Sequence, residues 1–221
     1  MEWLGRAKIN FTHSPTPLVL QKKDGTPTDL LKVCEEATPP CHLNPLLFNG
    51  DLQTMWTAVK SEGPPIYYKR REFSNADPDF NGTYCVDFVS EKFEETDETL
   101  PPRTTFYSEK EFGEIASLDS RPMLVALHGL SGGSHEVYLR HVLAPLVGAE
   151  GDQKWEACVV NARGCAMHKI SSSVLFNARA TWDCRETVHW LRKTFPNRPL
   201  YGIGFSLGAN IMTNVSSESI F

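Results

Sequence analysis

No part of this 221-residue chain stays apolar for long. The longest uninterrupted run of strongly apolar residues is Met123 to Leu127, and a membrane-spanning helix needs roughly 20 such residues. The start, MEWLGRAKINF, has no apolar h-region and no small-residue cleavage site, so no secretory signal is read there. Positive charge is not in excess: 22 Lys and Arg stand against 27 Asp and Glu, a net charge of −5. The electrostatic footprint of a nucleic-acid binder is missing. The cysteines, at 34, 41, 85, 158, 165 and 184, form no CxxC pair. That pattern reads as buried reduced thiols in a cytoplasmic protein, not as a disulfide framework or a zinc site. No metal-ligand spacing and no complete GxGxxG occur, since Gly202-Ile203-Gly204 lacks the third glycine. No cofactor and no metal are therefore expected.

What is present is globular. Hydrophobic residues are 41% and charged residues 22%, with a mean hydropathy of −0.31, values that exclude wholesale disorder, collagen and coiled coil. Residues 1–60 are punctuated by SPTP, DGTP and ATPP and read as an extended arm laid over a core, with one short helix near Gln53–Val59. Residues 61–221 read as a second, α/β domain. Its first part, IYYKRREF and TYCVDFVSEKF within 66–93, is β-rich and interrupted by DPDFNG, which predicts an antiparallel hairpin. The acidic stretch 91–103, ending in Pro-Pro, reads as a solvated loop.

From Arg121 to residue 215 the character changes. Pro122–His128, Glu156–Arg163 and Pro199–Ser206 are short continuous apolar runs, as suits strands of a parallel sheet buried on both faces. Helical patterns lie between them. Residues 134–147 carry Leu139, Leu143 and Leu146 on one side, with Ser134 as the expected N-cap and Pro145 as the expected end or kink. Residues 178–195 repeat Ala180, Cys184, Val188, Leu191 and Phe195 at helical spacing, stopped by Pro196-Asn197. Alternating strand and helix implies right-handed βαβ units.

The third apolar run leads straight into Gly204-Phe205-Ser206-Leu207-Gly208, followed by a helical pattern. Gly-x-Ser-x-Gly between strand and helix is the arrangement called the nucleophile elbow. The serine must stand on a sharp, strained turn, and residues two places either side lie too close to neighbours for a Cβ. The helix that follows aims its positive end at the hydroxyl, leaving the Leu207 N–H free to bind an oxyanion. A glycine-rich phosphate cradle is the competing reading of such a turn. At the end of the first run, His128-Gly129-Leu130-Ser131-Gly132-Gly133-Ser134 is placed to supply a second oxyanion donor, the N–H of Leu130, with Gly129 giving the loop its freedom. His128 is expected to order this loop by hydrogen bonding. Arg163 and Asp183 are expected in structural roles, and Trp182 and Trp190 in packing.

HGLSGGSHEVYLR, VVNARGCA followed by HKISSS, and GIGFSLGAN occur in that order. Together they resemble the α/β-hydrolase family, in the branch of fungal medium-chain fatty-acid ethyl ester synthase/esterases and monoacylglycerol lipases. LLFNGDLQT and the hairpin are similar too, so the resemblance covers roughly 40–214. It implies an α/β-hydrolase fold with a mostly parallel sheet. It also implies Ser206 as a nucleophile acting on acyl esters, with transfer of the acyl group to water or an alcohol. The implied partners are an acyl ester or acyl-CoA and an alcohol, with association at a lipid-droplet or membrane surface suggested by that substrate class alone.

The pattern departs from the family after Asn214. The triad of this fold runs Ser, then Asp or Glu, then His. Of the 15 residues after Ser206, one is acidic, Glu218, and none is His; all seven histidines come earlier. The expectation is a truncated, alternatively spliced or mis-predicted product, without the C-terminal part of the fold. A non-catalytic fragment is the alternative function.

Overall fold

A computed structural model describes residues 8–42, 44–59, 63–94 and 97–217. Glu218, and the sequence readings that touch 1–7, Lys60 and 95–96, lie outside them. The chain divides into two compact units at Ser61/Glu62.

The first unit is more than an extended arm. Strands β1 (Val19–Gln21) and β2 (Pro27–Asp29) pair antiparallel around a turn in which Gly25 has φ +83°, a conformation open to glycine. Asp24 secures the turn by accepting from the Thr26 amide at 2.9 Å. Helix α1 (Leu30–Ala37) follows, capped by Asp29, whose carboxylate accepts from the Lys32 amide at 2.8 Å. Helix α2 (Gly50–Val59) is the short helix expected there.

The second unit is a six-stranded mixed sheet. Strands β3 (Tyr67–Asn75) and β4 (Gly82–Ser90) form the antiparallel hairpin, in register from Tyr67↔Ser90 to Asn75↔Gly82. Strand β5 (Thr104–Phe106) lies parallel to β3, and α3 (Glu109–Gly113) follows it, closed by a capping box of Ser108 and Glu111. The remaining elements are β6 (Met123–Leu127), α4 (Val137–Val147), β7 (Glu156–Asn161), α5 (Trp182–Thr194), β8 (Leu200–Gly204) and α6 (Leu207–Ser217). Strand order is β5-β3-β4-β7-β6-β8, with β6, β7 and β8 mutually parallel and β4 antiparallel to β7. This is the α/β-hydrolase fold, hairpin included. None of the described helices is long and apolar enough to cross a membrane.

The sheet is covered on both faces, as its apolar runs require. Met123, Val125 and Leu127 of β6 pack with Val188 and Leu191 of α5 and with Ile211, Met212 and Val215 of α6. Leu124 and Ala126 point the other way and pack with Leu139 and Leu143 of α4. Val215 is wholly buried, so α6 belongs to the core beyond the point where the family pattern fades. Cys85, Cys158, Cys165 and Cys184 are buried thiols, and Cys34 and Cys41 are exposed.

Three expectations are corrected. Strand β8 is not buried on both faces: it ends the sheet, and Tyr201 and Gly202 are exposed. Ser134 is not the N-cap of α4, which starts after Glu136. Its hydroxyl instead donates to buried Asp87 at 2.5 Å, and its amide to Asn161 Oδ1 at 3.0 Å. Pro145 sits in the last turn of α4 without ending it; the helix runs on to Val147.

Asp87 is fully buried. It accepts from Arg70 Nε at 2.6 Å and Nη2 at 2.8 Å, and from Asn161 Nδ2 at 2.8 Å. Removing one partner of such a pair leaves an uncompensated buried charge, at a cost of about 3–5 kcal/mol. Asp87→Ala is expected to lose about that much in urea unfolding followed by tryptophan fluorescence. A loss below 1 kcal/mol, the ~1 kcal/mol scale of a surface pair, would contradict the network's role.

Candidate active site

Strand β8 delivers its last residue, Gly204, against β6, and the chain then turns sharply into α6. Ser206 sits at the turn with φ +52°, a left-handed conformation that costs a non-glycine residue roughly 1–2 kcal/mol. The flanking glycines explain how it is held. A Cβ on Gly204 would lie 2.2 Å from the Gly208 carbonyl oxygen, and one on Gly208 would lie 2.5 Å from the His128 carbonyl oxygen and 2.6 Å from that of Leu127. The elbow is thus pressed against the first turn of α6 and the end of β6, where only hydrogen fits. The Phe205 amide donates to the Leu127 carbonyl at 3.1 Å, and the Gly208 amide to the Phe205 carbonyl at 2.8 Å.

Ser206 is exposed and lines an open depression with Gly129, Leu130, Glu136, Tyr138 and Phe205. Gly129 comes close to the serine without being squeezed: a Cβ there would lie 3.5 Å from Ser206 Cβ. The structure therefore brings Ser206, Gly129 and Leu130 together. Leu207 stands beside the serine but lines a small cavity beneath the elbow instead, with Gly208, His128 and Asp183. Among the described residues, neither the Leu130 nor the Leu207 amide donates to an acceptor. Both are free to meet an oxygen from outside the protein.

The loop that carries Leu130 is tied at both ends. His128 Nε2 accepts from the Ala162 amide at 3.0 Å, which puts the ring proton on Nδ1, and Nδ1–H donates to the Gly129 carbonyl at 2.6 Å. Burial holds its pKa below the ordinary value near 6.5. With both nitrogens engaged, His128 is an ordering residue. At the other end Ser134 is fixed by Asp87 and Asn161. Between them, Tyr138 Oη accepts from the Gly129 amide at 2.9 Å, and its ring packs on Phe205 at 5.0 Å between centroids. Sequence reading missed Tyr138 and Glu136 as members of the site. The signal was the Glu-Val-Tyr at the start of α4, just after the glycine loop.

Arg163 and Asp183 form a buried bidentate pair, Nε to Oδ2 at 2.8 Å and Nη2 to Oδ1 at 2.7 Å. Arg163 also donates to the Phe80 and Asn81 carbonyls, both at 2.6 Å, so it anchors the hairpin turn rather than a site carboxylate. Trp182 stacks on Phe80 at 4.3 Å, and Trp190 on Phe112 at 5.3 Å. Among the described residues, no histidine hydrogen-bonds to Ser206.

No family model matches the chain. It is 37% identical over 191 residues to a monoacylglycerol lipase of Saccharomyces cerevisiae, covering 78% of this chain and 41% of that protein. It is 33% identical over 202 residues to medium-chain fatty acid ethyl ester synthase/esterase 2 of the same yeast, covering 80% and 44%. The chain thus spans little more than two-fifths of the length of these relatives. A solved lidless α/β serine hydrolase from Xanthomonas campestris is similar with a TM-score of 0.41 and 16% identity, over 71% of this chain and 59% of that one.

Two outcomes are expected from this geometry. Ser206→Gly relieves the left-handed strain and raises stability by about 1 kcal/mol in urea unfolding, whereas a loss would mean the turn is unstrained. For His128, the sign follows from its lowered folded pKa. Below its ordinary value the unfolded chain binds a proton that the folded chain does not. Stability therefore falls as pH drops through about 6.5, and His128→Gln flattens that part of the slope. An unchanged slope in the variant would place the titrating group elsewhere.

Proposed function

Because the chain belongs to the α/β-hydrolase family of lipases and esterases, we propose that it carries the nucleophile and oxyanion site of a carboxylic ester hydrolase or acyltransferase. Its substrates are acyl esters of the medium-chain fatty-acid ester or monoacylglycerol class. The observation that carries this reading is a strained, exposed Ser206 sharing a depression with the unclaimed Leu130 amide. Ser206 Oγ attacks the acyl carbonyl and its proton passes to the departing alkoxide, which leaves as the alcohol; the acyl-enzyme then passes its acyl group to water or an alcohol, whose proton returns to Oγ. The Leu130 and Leu207 amides receive the charge that develops on the carbonyl oxygen. A donor of this kind is worth about 3 kcal/mol in the transition state.

A serine hydroxyl is a weak nucleophile at neutral pH and needs an adjacent base. The described residues place none against Ser206, and this favours a second reading, a chain with binding geometry and little turnover. An oxyanion site without its base still retains about 10³–10⁴-fold acceleration over water.

A fluorophosphonate probe is expected to label the chain slowly and to leave Ser206→Ala unlabelled; equal labelling would remove Ser206 from the mechanism. Turnover of p-nitrophenyl octanoate is expected several orders of magnitude below that of a complete serine esterase. Enzyme-like turnover by the purified chain would sink the second reading.

A further inference from the structure

Away from the elbow, three side chains of different donor chemistry meet on one face of the hairpin. Glu72 of β3 and Cys85 of β4 are directly opposite in the antiparallel register, so their side chains leave the sheet on the same side. His168, from the segment after β7, reaches the same place, with Nε2 2.9 Å from Glu72 Oε2. One ligand atom from each of the three lies within 4.8 Å of the other two.

The three side chains run from buried to exposed. Cys85 is 1% exposed, and the His168 side chain is 5% exposed against 53% for Glu72. An ion therefore reaches the thiol and the imidazole from the glutamate side. His168 Nδ1 is buried without a hydrogen-bond partner, and a buried polar atom left unsatisfied costs about 1–3 kcal/mol. The ion pair with Glu72 engages Nε2 of His168 and leaves Nδ1 without a hydrogen-bond partner.

We propose that Glu72, Cys85 and His168 bind a borderline-soft divalent transition-metal ion of the zinc class, with solvent completing the coordination. Thiolate, imidazole and carboxylate are the donors zinc takes, at bond lengths of about 2.0–2.3 Å, which put tetrahedral ligands about 3.3–3.6 Å apart. A modest closure of the three side chains reaches that spacing. Hard ions such as calcium and magnesium take all-oxygen shells and do not favour the thiolate. On binding, the Cys85 thiol gives its proton to solvent, and the thiolate and the Glu72 carboxylate together balance the dication. The bound ion ties the segment after β7 to the hairpin. The proposal is independent of any chemistry at Ser206.

The test uses the whole chain carrying Cys34→Ser and Cys41→Ser, which removes the two exposed thiols. Cobalt(II) titration is expected to give one equivalent of intense tetrahedral visible bands with a thiolate charge-transfer band, displaced by zinc. Cys85→Ser is expected to abolish the charge-transfer band. Glu72→Gln and His168→Gln are expected each to weaken zinc binding at least about tenfold. Glu72 is half-exposed, so its variant keeps the test valid if the buried substitutions disturb folding. Weak octahedral cobalt bands, a charge-transfer band that survives Cys85→Ser, or zinc affinity unchanged in Glu72→Gln would overturn the site.

Discussion

A carboxylate shut away from water organises the end of the sheet that carries the candidate site. Asp87 accepts four hydrogen bonds, two from Arg70, one from Ser134 and one from Asn161. A buried charge is tolerable only when paired and fully hydrogen-bonded, so each donor is held by a strong restoring force. The donors come from β3, from the loop after β6 and from β7, and Arg70 Nη1 reaches on to the Ala166 carbonyl at 2.8 Å. One group thus fixes the hairpin against the parallel strands and sets the two loops that leave their C-terminal ends.

That constraint reaches the site through the Leu130 loop. The segment from His128 to Ser134 is anchored at both ends by buried polar contacts, and in its middle Tyr138 takes the Gly129 amide. Leu130 is left with an amide that no group among the described residues claims. Ser206 is arranged by a different force. Its strain is sustained by the close approach of Gly204 to Gly208 and of Gly208 to the end of β6, and by α6, whose Ile211, Met212 and Val215 are locked in the core. Long-range polar satisfaction positions the loop, and steric necessity positions the elbow. Strand β6 joins them, since the Leu127 and His128 carbonyls touch Gly208.

The elements legible in the sequence are those whose cause is local. Strands β6 and β7 read as continuous apolar runs because both their faces are covered. Helix α5 reads from the spacing of Ala180 through Phe195, and the elbow from two glycines at fixed offsets. Where the cause lies far along the chain, the sequence misleads. Ser134 has the chemistry of an N-cap, yet Asp87, 47 residues away, claims its hydroxyl. The exposure of β8 depends on which strands flank it, which an apolar run does not encode. In the first unit, Asp24-Gly25 is a hairpin turn and Asp29 caps α1, two local signals that the surrounding prolines obscured. The Glu72, Cys85 and His168 cluster is invisible to spacing, because strand register and a distant segment bring it together.

The catalysis proposed at Ser206 separates into two parts with different physical origins. Placing a hydroxyl and amide donors about one carbonyl carbon is accomplished by contacts internal to the second unit, and it needs no titratable group. Moving the hydroxyl proton needs a base, and His128, at the start of the loop, has both nitrogens engaged in holding backbone. The first part acts on developing charge and is effective once attack has begun. The second governs whether attack begins at neutral pH. A site with the first part alone is matched to a tetrahedral adduct far better than to the planar ester that precedes it. On the proposed reading of Ser206, affinity for such an adduct runs well ahead of turnover.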